Sequence, residues 1–203
     1  MKKVIILLTT SILFVNAKAQ FSFGLKAGLN INKEVEANTT YSTSTKMGLN
    51  AGIFANYKFL KNFASQVEVF YSAEGTKEKY TSNSTTINGT VSINRINIPL
   101  LFQYITPVGI YLETGPQIGF LLSANGIYNG THYDFKKNTK AIFYSWCIGA
   151  GYKLDLLLKG LAVNARYSPG LGNSNEGAVA AQSIKSHVTS ISLLYTLPFK
   201  SKK

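Results

Sequence analysis

The sequence predicts an all-β chain: an eight-stranded antiparallel up-and-down transmembrane β-barrel with an N-terminal signal peptide. Three observations carry this. Eight segments alternate apolar and polar residues, the links between them are alternately long and short, and the polar face mixes glycine with charges of both signs. Period-two alternation marks strands whose two faces meet different surroundings. Alternating link lengths are the build of an even-stranded meander with one tight rim, as in outer-membrane barrels.

The N-terminus reads as a separate unit. Lys2 and Lys3 precede an apolar run from Val4 to Val15, and Ala17-Lys18-Ala19 supplies small residues before Gln20. That is the layout of a secretory signal peptide, and the run is shorter than the ~20 apolar residues of a spanning helix. We therefore expect residues 1–19 to be removed, leaving 20–203 as one barrel domain. Their loss lowers the formal charge from +12 to +9, by removing Lys2, Lys3 and Lys18. The single cysteine, Cys147, permits no internal disulfide.

The eight predicted strands are Phe21–Asn30, Lys46–Phe59, Phe63–Gly75, Val91–Ile105, Val108–Ser123, Ala141–Leu154, Gly160–Leu171 and Ser186–Phe199. In the first, Phe21, Phe23, Leu25, Ala27 and Leu29 alternate with Ser22, Gly24, Lys26, Gly28 and Asn30. In the fourth, Ile96, Ile98, Leu100, Phe102 and Tyr104 oppose Arg95, Asn97 and Gln103. The short links are Leu60–Asn62, Thr106–Pro107 and Asp155–Lys159. The long ones, Ile31–Thr45, Thr76–Thr90, Ala124–Lys140 and Gly172–Lys185, are rich in Thr, Ser, Asn and Gly and read as surface loops.

Alternation alone fits a soluble barrel equally well, with its apolar face turned inward around a small apolar ligand. The polar face decides against that. Gly24, Gly28, Gly48, Gly52, Gly119, Gly149 and Gly151 lie on it; glycine weakens a water-exposed strand but suits the crowded lumen of an eight-stranded barrel. Lys26, Glu68, Arg95, Glu113, Lys153 and Arg166 share that face and are expected to form a lumenal polar network. Aromatics on the apolar face gather near both strand ends, with Tyr57, Phe59, Phe63 and Tyr104 toward the short turns and Tyr144, Trp146 and Tyr167 toward the long links. Two such belts match the two interfaces of a bilayer. Pro99 and Pro116 fall inside predicted strands, where a closed barrel offers no edge, so bulges are expected at Pro99 and Gly115-Pro116.

Several short stretches resemble the PorT-like outer-membrane β-barrel family of Bacteroidetes. They are Gly24-Leu25-Lys26-Ala27-Gly28-Leu29-Asn30, Val67-Glu68-Val69-Phe70-Tyr71-Ser72-Ala73-Glu74-Gly75, Asn97-Ile98-Pro99-Leu100-Leu101, Gly115-Pro116, Gly149-Ala150-Gly151-Tyr152 and Arg166-Tyr167. The resemblance implies an eight-stranded barrel in the outer membrane of a Gram-negative envelope and no catalytic residues. The family's name refers to a protein-secretion component. Its terminal aromatic is displaced here, since Phe199 is followed by Lys200, Ser201, Lys202 and Lys203.

The chemistry of an enzyme is not encoded in an evident way. A Ser-His-acid arrangement would need His132, beside Asp134, or His187, beside Ser186. Both read as loop or rim histidines, and Cys147 as an interior filler. No cofactor or metal is expected, because no ligand spacing or phosphate-binding glycine motif is present. The basic residues are scattered, which argues against nucleic acid. Lys136, Lys137 and Lys140 cluster in one long link, and contact with anionic lipid or lipopolysaccharide phosphates is expected there. The expected molecule is a non-enzymatic monomer bathed in membrane lipid, meeting a lipopolysaccharide or envelope protein through its long loops.

Overall fold

The computed structural model describes residues 20–35, 41–82, 85–172 and 185–198. The predicted signal peptide, the end of the chain from Phe199, and parts of the first, second and fourth long links lie outside the described residues. The strands are β1 (Gln20–Val35), β2 (Tyr41–Lys58), β3 (Phe63–Ser82), β4 (Thr85–Ile105), β5 (Ile110–Tyr128), β6 (Thr131–Asp134), β7 (Ile142–Lys153), β8 (Leu161–Pro169) and β9 (Lys185–Thr196). Eight of them close a ring of antiparallel neighbours in the order β1-β2-β3-β4-β5-β7-β8-β9 and back to β1. The ninth, β6, is a short flap paired to the upper end of β5.

Closure satisfies backbone groups that hydrocarbon could not, which is why only barrels and helices span membranes. The sidedness follows the alternation. Leu25, Ile53, Val69 and Ile148 are 51, 59, 42 and 56 % exposed on the outer wall, while Arg95 and Glu113 are 1 and 3 % exposed within. The apolar face therefore looks outward, and the soluble ligand-binding barrel is overturned. On the tight rim, rings touch in an unbroken series across β1 to β4: Phe21 with Tyr57, Tyr57 with Phe59, Phe59 with Phe102, Phe102 with Phe63 and Phe63 with Tyr104, at centroid distances of 4.6 to 6.3 Å.

Three expectations change. First, the long links Ile31–Thr45, Thr76–Thr90 and Ala124–Lys140 are not mainly loops. β3 and β4 run for 20 and 21 residues, about twice the 9–11 that a tilted spanning strand needs, so their hairpin continues well past the membrane. Along that extension apolar alternation disappears although Thr-rich strand propensity remains. Second, the third link folds into the β5–β6 hairpin. Asn129 and Gly130 both have positive φ, 47° and 85°, as a type I′ turn requires.

Third, neither proline makes a bulge. Pairing of β3 with β4 lapses beside Pro99, and pairing of β4 with β5 lapses beside Gly115-Pro116; both resume in unchanged register. Each proline still pairs on its other side, Pro99 with Gln117 and Pro116 with Trp146, so each interrupts one ladder locally. Register does shift elsewhere, between Asn94 and Arg95 on β4 and between Thr45 and Asn50 on β2. The second of these lies beside Gly75, whose φ of +133° is strained for other residues.

The lumen is packed by more than polar groups. Phe54, Phe70, Leu101, Tyr111 and Phe143 point inward and are buried. The lumenal glycines make room for them: a Cβ on Gly24 would lie 2.2 Å from the Phe54 ring, and one on Gly52 would lie 2.3 Å from the Val69 carbonyl and 2.4 Å from Phe70 Cβ. Gly52→Ala is expected to lower stability by about 1–3 kcal/mol through overpacking. Gly172→Ala, whose Cβ meets nothing within 4 Å, should be silent; urea unfolding of the refolded barrel in detergent distinguishes the two.

Candidate functional site

Two groups of ionised side chains occupy the lumen, and each balances its own charge. In the first, Arg166 on β8 donates through Nη1 and Nη2 to the Glu68 carboxylate on β3, at 2.8 and 2.7 Å, and through Nε to Glu113 on β5, at 2.7 Å. Lys26 on β1 donates to Glu68 at 2.9 Å and stacks over the Phe70 ring, 4.4 Å from its centroid. Gln66 adds a further donor to Glu68; Gln103 and Asn164 add donors to Glu113. β3 and β8 lie on opposite sides of the ring, so Arg166 braces the lumen from wall to wall.

In the second group Arg95 on β4 pairs with Glu74 on β3. Asn97 and Ser72 donate to the same carboxylate at 3.1 and 2.9 Å, and the guanidinium lies over the Phe143 ring at 4.7 Å. A neutral chain continues from here: Asn30 donates to Ser72, Asn50 to Asn30, and Ser192 to Asn50, at 2.9, 2.8 and 3.0 Å. It ties β3, β1, β2 and β9 together at one height. Buried polar groups are mostly partnered; among these side chains Arg95 Nε and Nη2, Asn97 Oδ1 and Asn164 Oδ1 have no protein partner.

Of the six residues expected in the network, Lys26, Glu68, Arg95, Glu113 and Arg166 are buried together in the lumen. Lys153 stands apart, half-buried at the lower end of β7 with Lys58 and Asp155 as its electrostatic neighbours. Glu74 was not anticipated as the partner of Arg95, although it lies on the same even-numbered face of β3 as Gln66, Glu68 and Ser72. Cys147 is buried between Gln117 and Ser168, at 3.3 and 3.4 Å. His187 is engaged by the Tyr167 hydroxyl at 2.8 Å, with the two rings stacked.

A separate surface feature is built by the β6 flap. Tyr128, Tyr133 and Phe135 pack ring to ring at 5.8 to 6.2 Å. Asp134 accepts the Lys136 backbone N–H at 2.8 Å, and Thr139 donates to the Phe135 carbonyl at 3.0 Å, which fixes the 3₁₀ turn Lys136–Asn138. Lys136, Lys137 and Lys140 are therefore presented, exposed, on an ordered turn just before β7 enters the wall. His132 and Asp134 line a groove of about 580 Å³ with Ser92, Asn125, Ile127 and Tyr133. Asp134 is taken up by the turn.

Charge balance makes a prediction about the lumen. Glu68→Gln leaves an uncompensated buried cation and should cost about 3–5 kcal/mol, more than Lys26→Met, which leaves Glu68 still held by Arg166. Adding Lys26→Met to Glu68→Gln restores neutrality and should recover part of the loss. Urea midpoints of the three variants in lipid vesicles measure this order; a double variant no more stable than Glu68→Gln alone would contradict it.

The chain resembles known proteins in fold and family. The crystal structure of Neisserial surface protein A aligns with a TM-score of 0.55 at 15% identity, covering 87% of this chain and 98% of that one. Ail, the attachment invasion locus protein of Yersinia pestis, aligns at 0.48 and 12% identity, covering 88% and 99%. OprG, an outer membrane protein of Pseudomonas aeruginosa, aligns at 0.39 and 11% identity, covering 88% and 96%. No curated protein sequence gives a significant match. The family model described as "Outer membrane protein beta-barrel domain" matches residues 16–176, and with the closed ring of strands this identifies the chain as a member of that outer-membrane β-barrel family.

Proposed function

We propose that the protein is a non-enzymatic, monomeric outer-membrane barrel with a side-chain-filled lumen, acting structurally or by binding through its extracellular side. The observation that carries this is the wall-to-wall brace: Arg166 bridges β8 to Glu68 on the opposite strand β3, and Lys26 joins the same carboxylate from β1. A lumen closed in this way conducts no solutes, so function falls to the parts outside the membrane. These are the hairpins and loops within residues 31–45, 76–90, 124–140 and 172–185. The partner class best supported is an anionic glycolipid, lipopolysaccharide above all. Lys136, Lys137 and Lys140 stand two to six residues before Ile142, where β7 turns its apolar face outward, and this proximity supports contact with headgroups. Exported chains of this kind carry a signal peptide, and residues 1–19 have that layout.

A second reading is a role in protein secretion or envelope assembly, favoured by the PorT-like motifs between Gly24 and Tyr167. On that reading the tall hairpins engage a protein partner, and crosslinking in intact envelopes followed by mild detergent extraction recovers it.

Two measurements test the first reading. The barrel reconstituted in planar bilayers is expected to pass no steady porin-sized current; such a current would overturn the filled lumen. Replacing Lys136, Lys137 and Lys140 together with glutamine is expected to weaken lipopolysaccharide binding about 100-fold at low salt, from ~1 kcal/mol per lysine near an anionic surface. Equal binding by the variant and the parent would remove the lysines from the site.

A further inference from the structure

The turn between β7 and β8 is anomalous for a segment facing the aqueous periplasm. Leu156, Leu157 and Leu158 are 101, 78 and 50 % exposed, in sequence and side by side. The turn is nevertheless ordered. Leu157 and Leu158 both donate to the Leu154 carbonyl, at 2.8 and 3.0 Å, Leu161 donates to Leu158 at 3.0 Å, and Leu154 to Leu161 at 2.7 Å. Asp155 accepts the Gly160 N–H at 2.9 Å, and Gly160 closes the turn with a φ of +86°. A single helical turn is thus held so that it presents leucines.

Its place in the ring explains the need. Across β1 to β4 the lower rim carries a continuous series of touching rings, which fixes that side at the membrane interface. On the β7–β9 side the described residues contribute Tyr152 and Tyr195. The wall is also short here. β8 has 9 residues, the lower limit of the ~9–11 that a tilted spanning strand needs, so the wall has no apolar length to spare. The leucines follow directly on the lower end of β7, whose outward positions Ile148 and Tyr152 are 56 and 40 % exposed. Lys153 and Lys159 flank the turn in sequence, Lys58 is an electrostatic neighbour of Lys153, and Asp155 is occupied by the Gly160 N–H.

We propose that the Leu156–Leu158 turn is a membrane anchor that inserts into the periplasmic leaflet, at the headgroup–acyl boundary of anionic phospholipid. It takes the place that the aromatic belt holds on the other side of the ring. The leucines supply the burial, and the neighbouring lysines meet phosphate at the same depth. The occupant is lipid because the patch is continuous with the wall that lipid already covers and because the charge around it is positive.

The test places an environment-sensitive fluorophore at Leu157→Cys in a Cys147→Ala background, in vesicles of phosphatidylethanolamine and phosphatidylglycerol. A matching probe at Asn129→Cys marks the outer flap. Brominated lipids are expected to quench the probe at 157 strongly and aqueous iodide weakly, with the reverse at 129. Iodide quenching at 157 as efficient as at 129 would overturn the proposal in favour of a water-exposed docking patch for a periplasmic protein. Shielding lost on tenfold dilution of protein in lipid would overturn it in favour of a second copy. Equal shielding without phosphatidylglycerol would overturn the choice of an anionic leaflet. Should the Cys147→Ala chain not fold, Leu157→Trp in a Trp146→Phe chain gives the same readout through a blue-shifted emission quenched by bromolipid.

Discussion

Arg166 stands on β8 while its carboxylate partners stand on β3 and β5, 98 and 53 residues away in sequence. Such a guanidinium cannot be left alone in a dry interior, because an unpartnered buried ion costs several kcal/mol. Its three donated bonds are made only when the ring is closed at this circumference and in this shear. Closure and charge neutrality are therefore one condition. An open sheet would leave Glu68 with Lys26 and Gln66 and Glu113 with Gln103 alone; a wider ring would pull the guanidinium out of reach of one wall.

The remaining lumen is organised around that brace. Glycine on one strand faces an aromatic or a branched backbone approach on the next, as Gly24 does for Phe54 and Gly52 does for Phe70. These rings then serve as floors for cations, Phe70 under Lys26 and Phe143 under Arg95, where cation–π attraction in a desolvated setting adds to pairing. Small residue, ring and ion form successive layers. No layer can be widened without disturbing the next.

How much of this was readable beforehand depended on whether a residue's face or its partner was asked for. Faces followed from period two: a one-residue slip would turn Leu25 inward and Lys26 outward, so their sides were settled once the strand was recognised. Glu74 was equally readable, as the next even-numbered position after Ser72 within the predicted strand Phe63–Gly75. Partners were not readable. Whether Arg95 meets Glu74 or Glu113 depends on stagger around the ring, which includes a shift at Asn94. The tall hairpin of β3 and β4 was invisible to alternation because its residues between Gly75 and Val91 are nearly all polar. The Asn129-Gly130 dipeptide did carry a hairpin signal that the composition of the surrounding link obscured. The leucine turn belongs to neither template, being apolar where a polar reverse turn was assumed.

The ring is unequal in height. β3, β4 and β5 run for 20, 21 and 19 residues while β7, β8 and β9 run for 12, 9 and 12. The tips of the tall side are far from Glu68 and from the bilayer, and lengthening a flexible connection there costs only ~0.6 kcal/mol per doubling. Sequence at those tips is thus free to drift, or to be replaced by a grafted epitope, with the brace untouched. The same molecule can keep its shaft while its exposed crest changes.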